Sequence, residues 1–309
     1  MCFAEYLDEF RSIAMSFARC IGLCLLASSG FAAAASAQPK SQPVPDGVKA
    51  HRDLAYVEKG HARNKLDIYQ PKSESALPVV VWIHGGAWQA GSKENCPALF
   101  LSEKGYAVVS INYRLSQHAL FPAQIEDCKA ALRWLRANAK TYNLNPERIG
   151  VWGSSAGGHL VALLGTSGEV EALEGKGGNA KQSSRVQCVV DYFGPTDFTK
   201  MGGNHDKAGS PESNLIGGAV SSNAEKAQKA NPIAYITKDD PPFLIVHGDK
   251  DTTVPFIQSE LLAADLKTAG VPVELVPLKG AGHGGPDFFA APNKKRVEEF
   301  FGKHLKPAK

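Results

Sequence analysis

The sequence predicts an α/β domain built on a mostly parallel central sheet with helices on both faces. Three observations carry this reading. Short, largely apolar runs recur at residues 79–83, 107–111, 149–152, 186–192, 243–246 and 273–276. Runs without polar alternation mark strands buried on both faces, the environment of a parallel sheet. Helical patterns lie between them, and strands alternating with helices build crossover units rather than hairpins. Composition supports one large domain. Of 309 residues, 43% are hydrophobic and 21% charged, so a full core is available and disorder of the whole chain is excluded.

Taken in order, the chain opens on a targeting segment. Residues 20–27 are apolar and lead through small residues to Ala35-Ser36-Ala37, an A-x-A cleavage pattern. Residues 1–37 therefore read as a signal peptide, cleaved after Ala37, of an exported protein, periplasmic or secreted. Glu5, Asp8 and Glu9 do not suit a leader, whereas a start at Met15 would place Arg19 in a proper basic region. The apolar run is short for a membrane span, so no stable anchor is expected. Residues 38–50 are rich in Pro and Ser at their start and read as a flexible lead-in to a domain over 51–309.

Two short runs, 54–57 and 66–69, flank a turn at 60–64 and predict an antiparallel hairpin at the sheet edge. Residues 125–139 form the clearest helix, with Cys128, Leu132 and Leu135 on one face. Asn143-Leu144-Asn145-Pro146 ends that segment. Helices are also expected at 255–269 and 294–304. Residues 167–184 read as a loop. Residues 196–240 are long and mixed, with a helical patch at 224–230, and suit a small rim or lid over a site.

The formal charge is +3 with no Lys/Arg run, which excludes a nucleic-acid partner. Of six cysteines, Cys2, Cys20 and Cys24 fall in the leader. An odd number remains in Cys96, Cys128 and Cys188, leaving at least one free thiol. Cys96–Cys128 is a possible bridge, and Cys188 reads as buried filling. No C-x-x-C motif or histidine cluster suggests a metal.

The chemistry centres on Gly153-Ser154-Ser155-Ala156-Gly157, which follows one buried strand and opens an apolar helix. This is the G-x-S-x-G pattern of a sharp strand-to-helix turn that exposes a serine hydroxyl. The glycines relieve crowding at the turn, and the helix N-terminus offers unpaired N–H groups to a developing oxyanion. A serine needs a base to take its proton and a carboxylate to orient that base. In this architecture the acid and then the histidine follow in the chain. The acid lies in a loop after the strand at 243–246. Asp249 and Asp251 compete there, and Asp251 is chosen because Asp249, close to the strand, more naturally pins the turn. The base is His283, flanked by glycines in Gly280-Ala281-Gly282-His283-Gly284-Gly285. His84, His118, His159, His205 and His247 receive structural readings: His84 braces its loop, His159 starts a helix, His247 ends a strand, and His118 and His205 are exposed. One oxyanion donor is the N–H of Ala156. The other comes from His84-Gly85-Gly86-Ala87-Trp88, after the first buried strand.

These segments together resemble the α/β-hydrolase fold, and in particular the bacterial esterases related to hormone-sensitive lipase in the branch typified by Bacteroides-type feruloyl esterases. Phe121-Pro122-Ala123-Gln124-Ile125-Glu126-Asp127-Cys128-Lys129 and residues 152–160 share the likeness, which spans roughly 54–305. The resemblance implies Ser155 as nucleophile, Asp251 as acid and His283 as base, with Gly85, Gly86 and Ala156 at the oxyanion hole. Ala87 departs from relatives that carry a third glycine. The expected activity is hydrolysis of a small-molecule or carbohydrate-linked ester, short-acyl, feruloyl or acetyl, without metal or organic cofactor. Trp88, Tyr113, Phe121, Phe193 and Phe256 are the aromatics expected near the site, able to stack on an aromatic acyl group. An amide hydrolase using the same triad is the enzymatic alternative, separable by matched ester and anilide substrates. A non-catalytic binding protein on the same scaffold is the other, disfavoured because the triad is complete.

Overall fold

The computed structural model describes residues 42–168 and 170–306. The leader over 1–37, the Met15 start and the first residues of the lead-in lie outside them. Eight strands form one sheet in the order β1-β2-β4-β3-β5-β6-β7-β8. They are β1 (Val48–Ala55), β2 (Lys65–Pro71), β3 (Leu77–Ile83), β4 (Ala107–Ile111), β5 (Leu144–Ser154), β6 (Cys188–Tyr192), β7 (Phe243–Gly248) and β8 (Val273–Leu278). β1 and β2 pair antiparallel, and β2 joins β4 antiparallel. From β4 to β8 every pairing is parallel.

The helices are α1 (Ala123–Ala137), α2 (Ala156–Thr166), α3 (Pro211–Ile216), α4 (Ala224–Ala230), α5 (Ile257–Thr268) and α6 (Ala291–Leu305). Strand β3 explains why the sheet is covered twice. Val79, Val81 and Ile83 belong to a core shared with Leu132 of α1, Leu160 of α2 and Leu262 of α5. Val80 and Trp82 belong to another, shared with Leu99, Leu101 and Phe301 of α6. Alternate side chains of one strand thus enter opposite layers, and both layers are apolar. Every residue of α2 is buried, which accounts for its lack of a polar face.

Several boundaries differ from the sequence reading. The described part of the lead-in makes defined contacts with the domain. Gln42 accepts from Cys96 N–H at 2.9 Å, Val44 and Val48 pack on the core, and β1 already begins at Val48. Leu144 does not end the α1 segment but starts β5, paired with Leu77. A 3₁₀ helix, Pro97–Lys104, lies between β3 and β4 and closes on Gly105 at φ 82°. The region 196–240 is a string of short helices rather than one element. Cys96, Cys128 and Cys188 are all free and buried, so the possible Cys96–Cys128 bridge is absent. Among the described residues no helix is long and apolar enough to cross a membrane.

Candidate active site

Parallel strands place their C-terminal ends on one edge of the sheet, where loops can converge. The loops after β3, β5, β6, β7 and β8 do so. At the end of β5 the chain turns at Ser155, with φ 55° and ψ −122°, a left-handed conformation that strains any residue with a Cβ. The surroundings hold it there. Ser155 N–H donates to the Tyr192 carbonyl at 2.9 Å, and its own carbonyl accepts from His159 N–H at 3.0 Å. A Cβ at Gly153 would lie 2.3 Å from the Gly157 carbonyl oxygen, and one at Gly157 would lie 2.1 Å from the Ile83 oxygen. Both positions require glycine because backbone crosses backbone there.

Residues 155, 251 and 283 come together. His283 Nε2 is 3.0 Å from Ser155 Oγ, and His283 Nδ1 is 2.7 Å from Asp251 Oδ2. The Asp251 side chain is fully buried, while that of His283 is 22% exposed, so the ring can meet both protein and a ligand. Asp251 Oδ1 accepts from Thr253 and Val254 N–H, both at 2.8 Å. Burial alone would raise the Asp251 pKa. Hydrogen bonds from His247, His283 and the Val254 backbone outweigh it and hold the carboxyl well below the usual carboxylate range. The residue is an anion that accepts from an imidazole and fixes its tautomer.

The acid and histidine loops are laced together. Asp249 accepts from Gly280 N–H at 2.7 Å, and Lys250 N–H donates to the Ala281 carbonyl. Asp249 therefore does not pin its own turn, as its position suggested, but ties the acid loop to the loop of His283. The sequence places His247 only at a strand end. Its Nε2–H donates to the Val254 carbonyl at 2.8 Å and approaches Asp251 Oδ2 at 3.2 Å, and its Nδ1 accepts from Ser259 Oγ at 2.6 Å. The signal available in sequence was the i, i+4 spacing of His247 and Asp251.

Gly85 lies beside the serine, since a Cβ there would be 3.2 Å from Ser155 Cβ and 2.7 Å from the Ser154 oxygen. Gly86 (φ 107°), Ala87 (φ 54°) and Trp88 (φ 56°) follow in the left-handed region, the Gly86 carbonyl accepting from both Gln89 and Ala90 N–H. Ala156 opens α2, so its N–H is one of the free amides at that helix end.

The expected aromatic residues divide. Phe193 packs edge-to-face on His283 with ring centroids 4.8 Å apart. Trp88 and Tyr113 do not reach the site. Trp88 is fully buried and donates its indole N–H to His159 Nδ1 at 3.2 Å. Tyr113 is fully buried, stacks on His84 and donates its hydroxyl to the His84 carbonyl at 3.0 Å. Both are structural because their polar tips find partners inside the fold. Phe256 is half-buried and meets His247 rather than His283. Phe121 is half-buried and lines, with Leu120 and Ile216, an apolar pocket of about 520 Å³ that includes none of Ser155, Asp251 and His283.

His159 joins three parts. Its Nδ1 accepts from Trp88 of the glycine loop, its Nε2–H donates to the Ala230 carbonyl of α4 at 2.7 Å, and it stands on α2. Burial pulls its pKa down to about 4, so the ring is neutral at neutral pH. His205 is half-buried against Glu212 at 3.1 Å rather than exposed, while His118 is exposed.

A serine on a sharp strand-to-helix turn, with a carboxylate and a histidine delivered by later strand ends of a mostly parallel sheet, defines an α/β-hydrolase fold. The chain belongs to the BD-FAE family, whose sequence model matches residues 66–266. Among solved structures it is 35% identical to a truncated form of a carbohydrate esterase from gut microbiota, with a TM-score of 0.81 over 86% of this chain and 99% of that one. It is 41% identical to a bifunctional GH43-CE protein of Bacteroides eggerthii, with a TM-score of 0.76 over 83% of this chain and 35% of that one. Esterase LipQ of Mycobacterium tuberculosis is 34% identical over 68% of this chain and 51% of its own length. The chain spans about half the length of the curated relatives it matches.

Proposed function

We propose that this chain is a serine ester hydrolase. Ser155 Oγ attacks the ester carbonyl as His283 Nε2 takes its proton. Asp251 holds the imidazole in the tautomer that presents Nε2 to the serine and stabilises the imidazolium that forms. The tetrahedral oxyanion is held by the N–H groups of Ala156 and Gly86, in the loop that Gly85 leads into. His283 then returns the proton to the leaving alkoxide, and water releases the acid by the same steps in reverse. The observation that supports this best is the chain of contacts Ser155–His283–Asp251 at 3.0 and 2.7 Å.

The substrate class proposed is a carbohydrate-linked ester of a short or hydroxycinnamic acid. Its support is the near full-length likeness to the gut carbohydrate esterase and the Phe193 ring beside His283. Export with cleavage after Ala37 belongs to the same proposal, supported by the Ala35-Ser36-Ala37 pattern after an apolar stretch.

The test is hydrolysis of p-nitrophenyl acetate, butyrate and octanoate and of methyl ferulate by the full chain and by Ser155→Ala. Removing the nucleophile of a serine hydrolase costs up to about 10⁶ in kcat. Ester turnover lost in the variant supports the reading, and the substrate ranking separates feruloyl from short-acyl action. Equal turnover in both proteins would overturn it.

A further inference from the structure

Arg63 lies in the turn between β1 and β2, distant in sequence from every part of the site. Its guanidinium donates to the Tyr113 carbonyl at 2.7 Å and to the Gly91 carbonyl at 2.8 Å, and stands 3.1 Å from His84 Nε2. A guanidinium has no acceptor, so Nε2 must accept and carry no proton. The other ring nitrogen, Nδ1, lies 2.7 Å from the Gly85 carbonyl, which can only accept. Both contacts are satisfied by one tautomer, neutral with the proton on Nδ1. Burial, with the neighbouring Arg63 charge adding to it, pushes His84 down to about 3 despite the bond to Gly85, which excludes the doubly protonated ring at neutral pH.

The Gly85 carbonyl shares its peptide plane with the Gly86 N–H. A trans peptide points the two in opposite directions, so fixing one fixes the other. His84 lies inside the loop, 5% exposed, and draws the carbonyl inward, while Gly86 is exposed. The N–H is thereby turned outward. Gly91 completes the enclosure: a Cβ there would sit 2.5 Å from both the Gly85 oxygen and His84 Nδ1.

We propose that Arg63 is a positioning residue for the oxyanion, acting through the His84 tautomer and the Gly85 carbonyl to aim the Gly86 N–H at the acyl oxygen. This rests on the ester-hydrolase reading. Loss of Arg63 frees the ring to carry its proton on Nε2. Nδ1 then faces the Gly85 oxygen lone pair to lone pair, and the peptide plane swings.

Three measurements test it. Nitrogen NMR of His84 in the unmodified chain, with no ester present, is expected to show a pyrrole-type Nδ1 and a pyridine-type Nε2. The opposite assignment overturns the proposal whatever the protein hydrolyses, and this arm needs no variant to fold. Arg63→Met is expected to lower kcat about 10- to 100-fold with KM within about threefold, because a misaimed donor is lost chiefly in the transition state. A kcat within about twofold of wild type overturns it. A boronic acid, which forms a tetrahedral adduct on the serine, is expected to bind the variant more weakly by the same factor as kcat falls. Unchanged boronate affinity overturns it. Ser155→Ala, run beside these, separates the two failures. Turnover retained in that variant removes the ester-hydrolase reading itself, and the oxyanion role with it. Turnover lost there but kept in Arg63→Met removes only the inference about Arg63.

Discussion

Asp251 accepts from two histidines, His283 in front and His247 behind, and from two backbone amides. So many donors on one carboxylate keep it ionised and immobile. Asp191 is the opposite case on the neighbouring strand. It is fully buried at the end of β6, its Oδ1 accepts only from Gly194 N–H, and its Oδ2 has no hydrogen-bond partner among the described residues. Burial lifts its pKa to about 6, against the lowering effects of Gly194 and His247. A carboxyl with a raised folded-state pKa favours the fold while protonated in it. That contribution is fully present below pH about 4, the unfolded value, and is lost as pH rises through about 6. Asp191 therefore costs on the order of 2–3 kcal/mol at neutral pH relative to acid. Asp191→Asn is expected to flatten the stability profile between pH 4 and 6, read as urea midpoints at several pH values. An unchanged profile would place the shift elsewhere.

At the scale of elements, the site is a meeting of loops held by a few joints. The α4 segment is fastened to the loop of Trp88 through His159, whose ring satisfies the Trp88 indole and the Ala230 carbonyl together. His159→Leu leaves a buried donor and a buried acceptor unpaired and is expected to cost about 2–4 kcal/mol. The loss should be local as well as global: amide exchange in α4 and in the loop of Trp88 should quicken more than in β3 or β5. Uniform exchange across the domain would argue against a joint. The strained turn at 86–88 belongs to the same set of constraints. Its left-handed residues are retained because the Gly86 carbonyl and the buried Trp88 side chain are both partnered.

For the whole molecule, thiol chemistry offers a direct reading of maturation. Cys96, Cys128 and Cys188 are buried and unpaired, and burial raises each thiol, Cys96 to about 12 and the others beyond the usual range. They are expected to resist thiol reagents in the folded protein and to titrate after denaturation, with no effect of reductant on the melting temperature. The full chain holds six cysteines, and cleavage after Ala37 removes Cys2, Cys20 and Cys24. A denatured exported protein should thus show half the thiols of the full chain, and an undiminished count would contradict cleavage there.

The succession of strands and helices was legible because it rests on local rules. Largely apolar runs mark doubly buried strands, and β3, β4, β6 and β7 fall on them. Glycines at 153 and 157 mark a turn where no Cβ fits, so the serine between them was visible without a structure. The loop of His283 declared itself by the glycines around it. What depended on partners from distant segments was hidden. Trp88 and Tyr113 look like site aromatics in sequence, yet their polar tips are satisfied by His159 and by the His84 carbonyl. His247 looked like the end of a strand until Asp251 was seen against it. Cys96 and Cys128 could have paired and do not. Periodicity and glycine placement by themselves determined the layers and the turn at Ser155, because each reflects steric demands within a few residues, while chain order pointed to Asp251 and His283 as its partners. Only the tertiary structure decided which aromatics face the site, what Asp191 costs and how Arg63 reaches the Gly85 carbonyl, because burial and hydrogen-bond partnership are properties of segments brought together across the sheet.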